Sequence, residues 1–305
     1  GEYDKNLGVV EIEWMDGDAT ISASLLEKEN VTIEADPEVL ALVEDIKSEY
    51  QELVSPVVGT TEVVLDGERG MVRKGETNLG NLLTDAILDA TGADLVMTNG
   101  GGIRASIDVG EITIEEIITV LPFGNTVIVK PLTGAEVKEA LENGATDYPE
   151  LKGAFTHVAG MTYQIDATKP AGSRIMNVMV GGMPLDLAAT YEVATNDFMA
   201  AGGDGYTMFD GKEELMLLGG MEEVLMDYIE ANGTAGAKVE GRITEYVAPV
   251  VEVPAAAETY VVKYGDVLWR IGRQFGVEWQ ILAEFNEMDN PHLIFPGQEV
   301  LIPVQ

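Results

Sequence analysis

The chain has 305 residues, no cysteine, two histidines, and 53 acidic against 18 basic side chains, a formal charge of −35. At roughly 150 residues per domain this is enough chain for two domains and a sizeable core, and the lack of cysteine excludes disulfides, thiolate metal sites and a cysteine nucleophile. So negative a charge argues against nucleic acid as a partner, because phosphate binding needs clustered Lys and Arg, and the apolar runs fall far short of the ~20 residues of a membrane span.

In chain order, residues 7–14 and 19–26 read as a strand pair around a turn at Asp16-Gly17-Asp18. Asp36 is placed as an N-cap with Pro37 at the first helical position, opening a helix whose apolar stripe runs through Val39, Leu42, Val43, Ile46 and Tyr50. Further strands are expected at 61–65, 94–98, 125–131, 161–165, 175–180 and 191–195, with helices at 78–91, 112–120 and 134–144, and one or two more in 215–231. Strands and helices interleave without a strict βαβ rhythm, so the class is α+β, or mixed α/β. A Pro-, Ala- and Val-rich linker at 249–258 leads to a βααβ unit at 259–305, with strands at 260–263 and 299–302 and helices at 268–275 and 279–285.

In so acidic a chain the position of positive charge carries information. Only seven residues are arginine, and Arg69, Arg73 and Arg104 lie near glycine-rich backbone. Guanidinium forks there suit phosphate or carboxylate oxygens, and they equally suit neutralisation of neighbouring acids.

The C-terminal unit resembles a lysin motif (LysM). Its opening run Tyr260-Val261-Val262-Lys263-Tyr264-Gly265-Asp266-Val267-Leu268-Trp269 and its closing run Asn290-Pro291-His292-Leu293-Ile294-Phe295-Pro296-Gly297-Gln298 carry the resemblance across the whole unit. The resemblance implies binding of N-acetylglucosamine glycans, peptidoglycan or chitin, between two loops. The implied site is Gly265, Asp266, Leu268, Asn290, Ile294, Pro296 and Gly297. Leu268 and Ile294 equally suit a plain core. Where the family usually has a small hydroxyl residue this chain has Val267, which removes one polar contact.

The middle of the chain bears four ordered motifs: Glu76-Thr77-Asn78-Leu79-Gly80-Asn81, Asn99-Gly100-Gly101-Gly102-Ile103-Arg104, Leu121-Pro122-Phe123-Gly124-Asn125, and Phe198-Met199-Ala200-Ala201-Gly202-Gly203-Asp204-Gly205-Tyr206. Taken alone, the first is a capped helix start, the second a flexible turn and the last a packed aromatic beside a tight turn. Together, over residues 57–247, they resemble the C-terminal substrate-binding domain of the 5′-nucleotidase family. The resemblance implies a base clamped between Phe123 and Phe198, its edge met by Asn125, ribose hydroxyls accepted by Asp204, and the phosphate end held by Arg73, Arg104 and Arg69 with Asn99 assisting. Stacking tolerates different bases because each has a π-face. Mononucleotides, nucleotide sugars, cyclic nucleotides and dinucleotides all fit such a set.

In that family the chemistry belongs to an N-terminal metallophosphoesterase domain with two divalent metals, and no cofactor is expected within these residues. Residues 1–34 resemble the tail of that domain, with Lys5-Asn6-Leu7-Gly8 as its closing signature, and 35–56 its connector helix. With Gly1 at its start, the sequence reads as the binding and anchoring piece of an exported, cell-wall-associated phosphohydrolase acting on nucleotides or nucleosides. The alternative is a non-catalytic peptidoglycan-binding module whose nucleotidase domain is a relic.

Overall fold

A computed structural model describes residues 6–15, 18–27, 34–247, 256–288 and 290–303. The turn read at Asp16-Gly17 and residues 249–255 of the linker lie outside the described residues. The chain divides into two units, Gly1–Tyr246 and Val247–Gln305.

The first unit opens with β1 (Asn6–Met15) and β2 (Asp18–Glu27), an antiparallel pair, followed by α1 (Pro37–Val54). The Asp36 carboxylate accepts from the backbone N–H of Glu38 and Val39 at 2.9 and 3.3 Å, as the N-cap reading requires. No residue of α1 is buried, so its apolar stripe faces solvent among the described residues.

The remaining elements of this unit are β3 (Val57–Thr61), α2 (Arg69–Val72), α3 (Asn78–Thr91), β4 (Leu95–Asn99), β5 (Gly110–Thr113), α4 (Ile114–Val120), β6 (Thr126–Thr133), α5 (Gly134–Gly144) and β7 (Thr156–Ala159). They continue with β8 (Met161–Ile165), β9 (Ile175–Val180), β10 (Met183–Pro184), β11 (Thr190–Asn196), α6 (Asp197–Ala200), β12 (Met216–Gly220), α7 (Met221–Asn232) and β13 (Ile243–Glu245).

The central sheet runs β12-β6-β11-β4-β7, with β11 parallel to β4 and its other pairs antiparallel. Successive side chains of a strand point to opposite faces. On β4, Val96 therefore joins the core made with α3, α4 and α7, while Leu95 and Met97 join the core made with α5 and the β8–β9 region. A smaller sheet, β10-β9-β8-β13, and the β3-β5 pair complete the unit.

Three of the elements expected in this unit are placed differently, and α2, β5, β7, β10, α6 and β13 are not among those expected. The strand expected at 61–65 lies at Val57–Thr61, because the Thr61 hydroxyl bonds both the N–H and the C=O of Val63 and turns the chain. The helix expected at 112–120 starts at Ile114. Thr113 caps it, in a reciprocal box with Glu116, and ends β5. The stretch 215–231 is not helical throughout: Met216–Gly220 is an edge strand on β6, and only Met221–Asn232 is helix.

The second unit has β14 (Ala256–Val261), α8 (Leu268–Phe275), α9 (Trp279–Phe285) and β15 (Glu299–Pro303). Its two strands pair antiparallel, and Val262, Leu268, Ile271, Leu282, Val300 and Ile302 form its own small core. Ala256–Glu258, read from the sequence as linker, already belong to β14. Gly276, in the left-handed region at φ 71°, ends α8.

Candidate functional site

The topology gathers several loops at one edge of the central sheet. β4 and β11 are parallel, so their C-terminal ends, at Asn99 and Asn196, lie together. β6 and β7 run antiparallel to them, so the residues just before those strands arrive at the same edge. Crevices at the carboxyl ends of strands are the usual place for a ligand in an open mixed sheet.

A cavity of about 570 Å³ opens at this edge. Arg73, Asn99, Arg104, Phe123, Asn125, Phe198 and Asp204 line it, together with Gly101, Gly102 and Gly153. Seven of the eight residues proposed from the sequence are thus brought together. Arg69 is not: it starts α2, is exposed, and does not line the cavity. Its spacing of four from Arg73 spans the end of a one-turn helix, and only Arg73, in the cap position, reaches the cavity.

The polar wall is tied together by side-chain amides. Asn99 donates from Nδ2 to the Asp204 carboxylate at 2.9 Å, and its Oδ1 accepts from Asn196 Nδ2 at 3.0 Å. Asn196 in turn caps α6 through the Met199 N–H. Asp204 sits at φ 52°, between Gly202 and Gly205, both also at positive φ, a conformation Asp tolerates better than bulky residues do. Gly203 packs so closely on Phe198 that a Cβ there would overlap the ring. The residues bordering the turn are held from below: Lys130, 7% exposed, donates from Nζ to the carbonyls of Ala200 and Phe209 at 3.0 and 3.4 Å.

The two phenylalanines are unlike core residues. Phe123 is 59% exposed and Phe198 44%, and the Arg104 guanidinium lies 5.6 Å from the Phe123 centroid, within cation–π range. Two large rings left open on a cavity wall are available to a planar ligand.

One residue behind the site escaped the sequence reading. His157, fully buried on β7, lies 2.8 Å from the Val72 carbonyl through Nε2, next to Arg73 in the chain. That contact requires an Nε2–H donor, which leaves Nδ1 as the unprotonated nitrogen of a neutral ring. Burial pushes the ring's pKa down, against the smaller upward pull of the Val72 carbonyl and of Glu76. The ring packs against Gly80, where a Cβ would overlap it. Nothing in the sequence separated this histidine from a surface one.

The motif 76–81 has structural work throughout. Thr77 caps α3, Asn78 bonds the backbone of Val64 and Asp66, and Glu76 accepts from Asn81 and from the N–H of Glu240 and Ile243. Tyr206, from the fourth motif, is buried with its hydroxyl 2.6 Å from the Thr156 hydroxyl and bonded to the Ala154 carbonyl; burial holds its pKa well above the ordinary phenol value.

In the second unit a groove of about 280 Å³ is lined by Val267, Leu268, Trp269, Trp279, Pro291 and His292. Of the glycan-binding residues proposed from the sequence only Leu268 lines it, and Leu268 is 3% exposed. Asp266 is engaged in its own turn, accepting from the Lys263 N–H and the Tyr260 hydroxyl, both at 2.8 Å; those bonds lower its pKa. Gly265 and Gly297 sit at φ 88° and 91°, Asn290 accepts from the His292 N–H, Ile294 packs on the small core and Pro296 is exposed. Sequence reasoning missed the two tryptophans in the wall: Trp269 is half exposed, and the Trp279 and His292 rings stand 5.7 Å apart. Two of the chain's three tryptophans in so short a unit were the available signal.

Fold and cavity together define a mixed α/β domain with a lined cavity at its sheet edge, followed in the chain by a small βααβ unit. A family model for the 5′-nucleotidase C-terminal domain matches residues 57–211, and one for the LysM domain matches 260–303. The chain belongs to the 5′-nucleotidase family through that domain, and a LysM domain follows it. It is 41% identical over 227 residues to the trifunctional nucleotide phosphoesterase protein YfkN of Bacillus subtilis, covering 71% of this chain and 16% of that protein. It is 35% identical over 206 residues to protein UshA of Yersinia enterocolitica, covering 67% of this chain and 36% of that one. The crystal structure of a 5′-nucleotidase precursor from Thermus thermophilus superposes with a TM-score of 0.67 at 37% identity, covering 81% of this chain and 51% of that structure. The chain therefore spans about half of the length of these relatives, or less.

Among the described residues no group of three or more His, Asp or Glu side chains is placed to hold a metal ion. No described helix is long and apolar enough to cross a membrane.

Proposed function

We propose that this chain is the substrate-holding and wall-anchoring part of an exported 5′-nucleotidase-type phosphohydrolase. The observation that carries this reading is the cavity, where two open aromatic rings, two guanidinium groups and one carboxylate line a single space. A base stacks between Phe123 and Phe198, with its edge at Asn125. The ribose hydroxyls donate to Asp204, and a phosphate pairs with Arg73 and Arg104. Hydrolysis is assigned to a domain with two divalent metal ions outside these residues. The exposed hairpin and α1 suit the role of the approach to that domain. In the second unit, the tryptophan-lined groove suits the apolar faces of N-acetylglucosamine rings in peptidoglycan.

Calorimetry with AMP and adenosine tests the cavity: both bind, AMP more tightly, and Phe198→Ala weakens both. No heat with either ligand overturns the assignment. Sedimentation with insoluble peptidoglycan tests the anchor by comparing the full chain with one ending at Val247. Equal retention of the two removes the wall-binding role. A cavity with its stacking rings and arginines in place favours a working substrate site over a relic.

A further inference from the structure

The nucleotide reading leaves open which base the cavity takes, and a residue outside the cavity bears on it. Asp197, the first residue of α6, is not among the lining residues, yet its Oδ1 accepts from Asn125 Nδ2 at 2.6 Å and from the Phe198 N–H at 2.9 Å. An ionised carboxylate only accepts. The amide of Asn125 is therefore locked with its nitrogen toward Asp197, since a flipped amide would set its carbonyl oxygen against the carboxylate. The backbone on both sides fixes the pair further: the Asn125 carbonyl accepts from the Met221 N–H at 2.8 Å, and Phe198 follows Asp197 in the same short helix.

One amide N–H of Asn125 is thus committed, and the carbonyl oxygen and the second N–H remain for a ligand. An acceptor and a donor in a fixed order complement a ring edge that offers an amino group beside a ring nitrogen, as in adenine, and cytosine presents the same order. A keto base offers an acceptor where the locked amide also has one. Resting on the reading of the cavity as a nucleotide site, we infer that Asp197 is a positioning residue that turns Asn125 into a selector for amino-bearing bases, above all 6-aminopurines. Stacking on Phe123 and Phe198 gives affinity without choice among bases; the locked amide supplies the choice.

The test uses the full chain and three nucleosides that differ at one ring position: adenosine, purine riboside, which lacks the 6-amino group, and inosine, which has a keto group there. Equilibrium calorimetry is expected to rank them in that order, with adenosine about 10-fold tighter than purine riboside. In Asp197→Asn the amide at 125 is free to turn either way, and the adenosine-to-inosine ratio falls to within about 2-fold of one while stacking persists. Equal wild-type affinities for the three, or a ratio unchanged in Asp197→Asn with its far-UV dichroism intact, overturns the inference. The wild-type ranking needs no variant, so a misfolded variant does not shelter the claim. Binding of none of the three would overturn the nucleotide reading instead, a result distinct from binding without preference.

Discussion

The two candidate sites are built on opposite plans. The cavity draws its walls from loops as far apart in sequence as Arg73 and Asp204, joined only because parallel and antiparallel strands end at one sheet edge. The groove of the second unit draws its walls from residues 267–292 and is dominated by aromatic and apolar side chains. The charge distribution separates them as well. Residues 259–305 carry three basic and six acidic side chains, whereas the other 258 carry 15 and 47. In the more acidic region two of the five arginines, Arg73 and Arg104, line the cavity. Total charge governs solubility and non-specific partners, and a local arrangement of cations governs what enters a cleft.

This contrast can be broken most forcefully at the aromatic wall. Phe198→Ala removes one face of the clamp, and base–aromatic stacking of about 1–3 kcal/mol predicts adenosine affinity lower by roughly 5- to 150-fold in calorimetry. Glycan retention of the same variant is expected to stay unchanged. Removing the cation at position 104 should be smaller and selective. Arg104→Ala is expected to weaken AMP by roughly 10-fold and adenosine by much less, because a charge-assisted bond of about 1.5–3 kcal/mol is lost only with the phosphate. Equal losses for AMP and adenosine would move the phosphate away from Arg104.

Acid sharpens the comparison next. Burial holds the folded-state pKa of His157 below its unfolded value, so the unfolded chain takes a proton that the folded domain refuses. Stability is therefore complete above about pH 6.5 and falls as pH drops below it, by about 1.4 kcal/mol per pH unit for one proton until the folded pKa is reached. Asp266 in the second unit acts in a different window. Its lowered pKa gives stability that is present above the ordinary carboxylate range and lost as pH falls through the folded value. Calorimetric melts between pH 7 and 5 should shift the large domain ahead of the small one, and His157→Gln should flatten that dependence. The smallest effect is expected at the groove. Trp269→Ala should reduce peptidoglycan retention by only a few-fold, since one weakly binding module offers little to lose.

The residues that sequence reasoning placed well are those whose chemistry is local. Asp36 and Pro37 announce α1 by capping alone, and the glycines around Asp204 announce a tight turn. The stretch 215–231 misled because its Leu-rich start is an edge strand on β6, a fact set by pairing with residues nearly ninety positions earlier. Arg69 misled for a related reason: spacing put it beside Arg73, but α2 ends between them and only the second side chain reaches the cavity. The role of Asp197 was illegible, because it depends on Asn125 lying 2.6 Å away across the sheet edge. In the second unit the motif loops supply Val267, Leu268, Pro291 and His292 to the groove, while the site implied by the motif left out the two tryptophans that join them from the helices.

Lys130 gives the loop above it an unusual mechanical character. Its ammonium holds one carbonyl at each end of the stretch from Ala200 to Phe209, so the span that carries Asp204 rests on two anchored feet. A span so fixed is shaped before any ligand arrives. Whatever enters the cavity meets a finished rim and gives up little of its binding energy to ordering the loop.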